Sequence, residues 1–181
     1  DIASNSSSKP LEGVYILLDP GHGGPYEKPS EAKLNLDYAN KLRENLTALG
    51  ARVEMTRTAD VVLDLEDRPA LTHNRGYHLL IRIHMDAANN SKATGASEPV
   101  RWNTLYINRM VHDMPSVLIE CGFQTNKTDM ECLIKPEYRD KLMQAVTDGV
   151  VDYFSSMPAN SGARAASAPL SVPDAAPVSR R

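Results

Sequence analysis

Two histidines and a glutamate follow three apolar runs of this sequence, each at the point where the run ends. His22 follows VYILLDPG, His84 follows LLIRI and Glu120 follows SVLI. Short apolar runs of this kind predict buried strands. Because ligands of open α/β sheets bind beyond the carboxyl ends of the strands, we expect these three side chains to lie together at one edge of a sheet.

Two imidazoles and one carboxylate are a common ligand set for catalytic zinc, which keeps its fourth position for water. Glu27 and Glu31 are the candidates for the ligating carboxylate, and Glu31 lies in the first turn of a predicted helix, where an acid complements the helix dipole. Glu120 is then free to act as a general base. Asp19 or Asp86 is expected to accept a hydrogen bond from the second ring nitrogen of a ligating histidine.

The elements that must position these residues alternate along the chain. Strands are predicted over GVYILL, ARVEMTR, YHLLIRIH and PSVLIE, with TLYIN as a further candidate. LEDRPALTHNRG predicts a short helix. A long helix is predicted from a Ser30 cap to Gly50, and a second one begins at Pro136. This alternation predicts a single α/β domain, with a mostly parallel twisted sheet and helices on both faces.

Helical spacing also predicts which residues of the two long helices are buried. The stripe of the first helix comprises Leu34, Tyr38, Leu42, Leu46 and Leu49. The stripe of the last helix comprises Tyr138, Leu142, Val146, Val150 and Phe154.

The 181 residues are enough for one domain with a hydrophobic core, which we place at residues 12–157. Residues 1–11 are polar and are predicted to be a flexible segment. Residues 158–181 are rich in Ala, Pro and Ser, so they are predicted to form a disordered tail. The formal net charge of −3 gives no indication of a nucleic-acid partner.

No apolar run approaches the roughly 20 residues that a transmembrane helix needs. A polar start at Asp1 suits a processed, secreted protein or a trimmed chain. The two cysteines, Cys121 and Cys132, define no disulfide framework. We expect a monomer.

Four sequence blocks, LLDPGHGG, EAKLNLDYANKL, IRIHMDAAN and MPSVLIECGFQTNKTDMECL, together resemble the zinc-dependent N-acetylmuramoyl-L-alanine amidases of the amidase-3 family. The resemblance covers nearly all of residues 13–154 and makes residues 12–157 an amidase-like catalytic domain. It implies one Zn²⁺ ion and hydrolysis of the amide between N-acetylmuramic acid and L-alanine in bacterial peptidoglycan. Such a cell-wall hydrolase is expected outside the cytoplasm, either secreted, in the cell wall or in the periplasm.

By position, the resemblance places the zinc ligands on His22, Glu31 and His84 and the catalytic glutamate on Glu120. The chain departs from the family in a compressed loop before Glu31 and in a segment shortened around residues 91–103. That segment normally contributes a strand and a long helix. We therefore expect an altered wall of the substrate groove and no regulatory helix over the zinc.

The sequence alone leaves two functions open besides the zinc hydrolase. One is a non-catalytic peptidoglycan-binding module that retains the motif, and the other is a cysteine hydrolase that uses Cys121. Arg68 and His112 are candidate substrate contacts. Arg68 suits a peptide carboxylate, although a salt bridge at a helix start is the alternative.

Overall fold

The computed structural model describes residues 9–24, 31–95, 100 and 105–157, which contain four strands and four helices. The strands are β1 (Tyr15–Pro20), β2 (Arg52–Met55), β3 (Leu79–Asp86) and β4 (Ser116–Phe123). The helices are α1 (Glu31–Ala48), α2 (Tyr106–Met110), α3 (Lys127–Leu133) and α4 (Pro136–Ser156), and a 3₁₀ turn spans Pro69–Leu71. None of the helices in these ranges is long and apolar enough to cross a membrane.

The four strands form one parallel sheet in the order β2-β1-β3-β4. Pairing of β1 with β3 continues past the end of β1, because the Gly21 N–H donates to the carbonyl of Ile83 at 2.9 Å. In the next pair, His84 of β3 is in register with Glu120 of β4. All four carboxyl ends therefore lie at one edge of the sheet, as predicted.

One face of the sheet carries the larger apolar core, beneath α1, α3 and α4. Its strand residues include Ile16 and Leu18 of β1 and Ile81, Ile83 and Met85 of β3, and its helix residues include Tyr38, Leu42, Leu46, Leu133, Met143 and Phe154. The Tyr38 hydroxyl donates to the carbonyl of Leu133 at 3.0 Å, so its polar group is satisfied inside the core. The predicted stripe of α1 is confirmed by this packing.

The opposite face carries a second, smaller apolar cluster near the amino ends of the strands. There Leu17 and Leu80 pack with Ile107 of α2, which places a short helix on this face. Further along the same face, the next inward-pointing residues are Asp19 and Arg82, which pair in register. The prediction of an α/β sheet with helices on both faces is confirmed, and the charged part of this face lies toward the carboxyl ends.

Two expectations about local structure are wrong. The strand expected over TLYIN is wrong for the described part of that segment. Tyr106–Met110 is the helix α2, because Ile107 packs into the cluster around Leu17 and Leu80 and this burial outweighs the strand preference of the segment. The short helix predicted over LEDRPALTHNRG is reduced to the 3₁₀ turn with Pro69 at its start. The proposed cap Ser30 and the candidate ligand Glu27 lie outside the described residues.

The predicted stripe of α4 is shifted. Tyr138 is 38% exposed, whereas Met143 and Thr147 are buried with Val150 and Phe154. Thr147 is accepted in the core because its hydroxyl donates to the carbonyl of Met143 at 2.7 Å. The helix therefore turns this face, with spacings of three and four residues, toward α1 and the larger core.

Replacing Phe154 by Ala tests this orientation of α4. Phe154 is 1% exposed, so truncation should lower the free energy of unfolding by about 3–5 kcal/mol, as is usual for a large aromatic side chain removed from a core. The control is Tyr138→Ala, which should cost less than about 1 kcal/mol because most surface substitutions have small effects. Urea denaturation of both variants gives the comparison, and equal losses would contradict the observed orientation.

Candidate active site

The loop after β1 holds His22 in an unusual backbone conformation. His22 has φ 57°, in the left-handed region that side-chain-bearing residues rarely adopt. The loop is held on both sides: Arg68 donates to the carbonyl of His22 at 2.6 Å, and the Gly24 N–H donates to Asp60 at 2.9 Å. The conformation directs the imidazole of His22 to the carboxyl edge of the sheet.

Gly21 is required by the close approach of His84. A Cβ atom at residue 21 would lie 2.2 Å from Cε1 of the His84 ring, so no larger residue fits without moving the imidazole. Gly21 therefore leaves room for the second histidine of the site.

His22, Glu31 and His84 meet at this edge, where one ligand atom from each lies within 4.8 Å of the others. Oε1 of Glu31 is 2.9 Å from Nε2 of His22 and 3.2 Å from Nδ1 of His84. The two imidazole rings are edge to face, with centroids 5.0 Å apart. One carboxylate oxygen and two imidazole nitrogens form a ligand set that suits zinc, so these three residues fit a zinc ion.

Glu31 is kept ionised by its neighbours. Burial acts to raise the pKa of its carboxyl, but hydrogen bonds from His22 and His84 outweigh burial and hold the pKa well below the usual range. Gln124 also donates to Oε2 at 2.7 Å. The carboxylate is therefore in the form that a metal ion requires.

Glu120 has the opposite electrostatic character. It lies beside His84 in register and on the same face of the sheet, and part of its surface is open to solvent. The surrounding protein nevertheless removes water from the carboxyl group, and this desolvation, with the charges of Asp86 and Glu31, raises its pKa to about 7. A carboxyl group with this pKa can both accept and release a proton near neutral pH.

A buried ion cluster lies beneath the three candidate ligands. Asp19 is 1% exposed and accepts hydrogen bonds from Arg68, from Nε of Arg82 at 3.0 Å and from the Thr56 hydroxyl at 2.7 Å. Burial acts to raise the pKa of Asp19, but the charges of Arg68 and Arg82 lower it overall. Because Arg68 also contacts the carbonyl of His22, the cluster connects β1 and β3 to the His22 loop.

The expected hydrogen bond from a histidine to Asp19 is wrong. Asp19 is occupied by the two arginines and Thr56, and Nη2 of Arg82 lies 3.2 Å from Nε2 of His84. Since a guanidinium only donates, Nε2 of His84 is the acceptor in this contact. The carboxylate of Asp86 accepts from the N–H of Ala87 at 2.7 Å.

The two candidate substrate contacts lie away from the open part of the site. Arg68 is 3% exposed and forms the salt bridge with Asp19 that was the alternative interpretation, besides its contacts with backbone carbonyls. His112 is exposed but lies on the segment leading into the amino end of β4, at the edge of the sheet opposite Glu120. These placements favour a positioning role for Arg68 and argue against substrate contact by His112.

Cys121 is unsuited to act as a nucleophile. It projects from β4 into the larger core, on the opposite face from Glu120, and is 7% exposed. Burial raises the pKa of its thiol to about 12, so the reactive thiolate does not form at neutral pH. The hypothesis of a cysteine hydrolase is wrong on this geometry.

Comparison with known proteins decides the family. The family model described as N-acetylmuramoyl-L-alanine amidase matches residues 16–100 and 96–152. The chain belongs to this amidase family. The two matched segments of the chain overlap at residues 96–100.

Several relatives show how far the similarity to other amidases extends. The germination-specific N-acetylmuramoyl-L-alanine amidase of Bacillus subtilis is 31% identical over 196 residues, covering 82% of this chain and 83% of the relative. The "Probable cell wall amidase LytH" of Staphylococcus epidermidis is 32% identical over 184 residues, covering 83% of this chain. This amidase-family chain spans only 62% of the length of that relative.

The solved structures agree with the family assignment. The crystal structure of N-acetylmuramoyl-L-alanine amidase from Clostridium difficile 630 has a TM-score of 0.72 and 30% sequence identity, covering 81% of this chain and 100% of that chain. The catalytic domain of the amidase CwlV from Bacillus (Paenibacillus) polymyxa also has a TM-score of 0.72, at 22% identity. The second comparison supports the fold alone.

Sequence reasoning missed three residues around the candidate ligands of this amidase-family chain. Arg82 and Gln124 contact His84 and Glu31, as described above. Asn35, one helical turn after Glu31, is fully buried and donates to the carbonyl of Gly21 at 3.1 Å. Asn35 could have been found from the sequence, because it is a polar residue beside the apolar stripe of α1, four positions after a candidate ligand.

Replacing Asp19 by Asn should destabilise the protein by about 3–5 kcal/mol, because two buried guanidinium groups lose their counter-charge. Asp37→Asn is the control, since Asp37 forms a more exposed ion pair with Arg139 and should cost less than about 1 kcal/mol. Denaturant unfolding at neutral pH measures both. Because folding lowers the pKa of Asp19, the stabilisation is present above its unfolded-state pKa and should shrink as the pH falls below about 4. An Asp19→Asn loss no larger than that of the control would contradict this account.

Proposed function

We propose that this chain is a zinc-dependent hydrolase that cleaves the amide bond between N-acetylmuramic acid and L-alanine in bacterial peptidoglycan. The observation that carries the proposal is the convergence of His22, Glu31 and His84 within 4.8 Å, beside Glu120 of the neighbouring strand. Membership of the amidase family supports the reaction. Since peptidoglycan lies outside the cytoplasm, we place the enzyme there, secreted, in the cell wall or in the periplasm.

Each residue has a distinct part in the proposed reaction. His22, Glu31 and His84 would hold the zinc ion, which when bound polarises the scissile carbonyl and lowers the pKa of water. Glu120 takes a proton from the attacking water as the new C–O bond forms. It then delivers this proton to the nitrogen of L-alanine as the C–N bond breaks, leaving a carboxylic acid and a free amine.

The electrostatics of the two glutamates support this division of work. Glu31 has a lowered pKa and is held by hydrogen bonds, as a fixed ligand should be. Glu120 has a raised pKa and is open to solvent on one side, as a group that exchanges protons with a substrate should be. Two acids whose environments move their pKa values apart are typical of a site with one acid–base group and one permanently charged group.

A non-catalytic peptidoglycan-binding module is the alternative to this proposal. It would follow if the shortened segment around residues 91–103 had removed the wall of the substrate groove. The module would bind peptidoglycan without producing new amino termini. Measurement of released L-alanine amino groups from purified peptidoglycan therefore separates the two functions.

Removal of the metal should abolish hydrolysis. Excess chelator should eliminate the release of L-alanine amino groups from peptidoglycan, and stoichiometric Zn²⁺ should restore it, because the three ligands hold the ion that activates the reaction. Metal content is measured on the same samples. Full activity in a sample shown to be metal-free would refute the zinc-dependent mechanism.

Replacing each glutamate by Gln should separate the base from the ligand. Glu120→Gln should still bind one zinc ion and retain its melting temperature, but should hydrolyse peptidoglycan about 10²–10⁴-fold more slowly because proton transfer is lost. Glu31→Gln should lose both zinc affinity and activity, since metal binding and folding are linked. The measurements are metal content, thermal unfolding and product release.

The matched control is Glu44→Gln, an exposed acid on α1 that pairs with Lys41 at 3.5 Å. It should leave zinc content, melting temperature and activity unchanged. If Glu120→Gln lost zinc while Glu31→Gln retained it, the two roles would be reversed.

A further inference from the structure

The two oxygens of the Glu31 carboxylate have different partners, and Gln124 is the partner of one of them. Its Nε2 donates to Oε2 of Glu31 at 2.7 Å. The other oxygen, Oε1, faces the imidazoles of His22 and His84. One oxygen is therefore held by the amide, and the other points to the centre of the proposed ligand set.

The backbone of Gln124 is itself anchored at the edge of the sheet. Gln124 is the first residue after β4, and its N–H donates to the carbonyl of Asp86, the last residue of β3, at 2.8 Å. The preceding N–H, of Phe123, donates to Asp129 of α3 at 3.0 Å. The amide thus reaches Glu31 from a backbone fixed to both a strand and a helix.

Apart from the two histidines, the other partners of the Glu31 carboxylate make longer contacts than Gln124 does. Nδ2 of Asn35 lies 3.5 Å from Oε1, and the N–H of Met85 lies 3.4 Å from the same oxygen. Gln124 makes the shortest of these hydrogen bonds and is the partner described for Oε2. Loss of the amide would free the carboxylate to rotate about its last side-chain bond.

We propose that Gln124 is a positioning residue for the zinc site, which holds Oε2 of Glu31 so that Oε1 is presented to the metal. The inference rests on the proposed function. It extends that function to a residue outside the ligand set, on the same strand end that supplies Glu120. Groups that hold a metal ligand through a hydrogen bond typically contribute 10–100-fold to metal affinity.

The test uses Gln124→Met, which keeps the length of the side chain and removes its donor. Gln124→Leu is a second variant in case the first fails to fold. The control is Gln144→Met, because Gln144 is exposed on α4 and donates to Asp148 on the same helix. Zinc dissociation constants are measured by competition with a chromophoric chelator, and thermal unfolding is measured without metal.

Gln124→Met should weaken zinc binding by about 10–100-fold with little change in the melting temperature of the metal-free protein. The control should remain within twofold of the wild type. A merely structural contact between β4 and α1 would instead lower the melting temperature and leave zinc affinity unchanged.

Equal zinc affinity of wild type and Gln124→Met would overturn the positioning role while leaving the proposed function intact. A wild-type chain that binds no zinc would overturn both.

Discussion

The contact between the buried Asp19 carboxylate and the guanidinium groups of Arg68 and Arg82 is the interaction on which the site depends. It ties together β1, β3 and the segment before the 3₁₀ turn at the point where the strands end. The same two arginines reach the carbonyl of His22 and the ring of His84. Both histidines therefore rest on one buried ion cluster, which is costly to break because either partner alone would be an unpaired buried charge.

Above this cluster, the sheet brings together two acids with different properties. Glu31 lies among hydrogen-bond donors, which stabilise its charge, whereas the carboxyl group of Glu120 is desolvated and lies near the carboxylates of Asp86 and Glu31, which disfavour its charge. The parallel register that pairs His84 with Glu120 keeps these environments adjacent but distinct. The chemical difference between the proposed ligand and the proposed base thus arises from their neighbours, since both residues are glutamates.

The sequence was sufficient for those parts of the site that depend on strand ends. His22, His84 and Glu120 each follow an apolar run, and the parallel sheet brings runs of this kind to one edge. Arg82 and Gln124 were not predictable in this way, because their partners lie on other elements and no spacing along the chain links them. The same limit applies to the fold: the residues of α2 make it a candidate strand, and the helix follows from the packing of Ile107 against the second face of the sheet.

Zinc-edge anomalous diffraction from crystals of the zinc-loaded protein tests the central claim most directly. The account predicts one strong anomalous peak, about 2.0–2.2 Å from one ligand atom each of His22, Glu31 and His84, with the Glu120 carboxylate nearby but outside the ligand set. A peak at other residues, or no peak at this edge of the sheet in crystals that contain stoichiometric zinc, would contradict it.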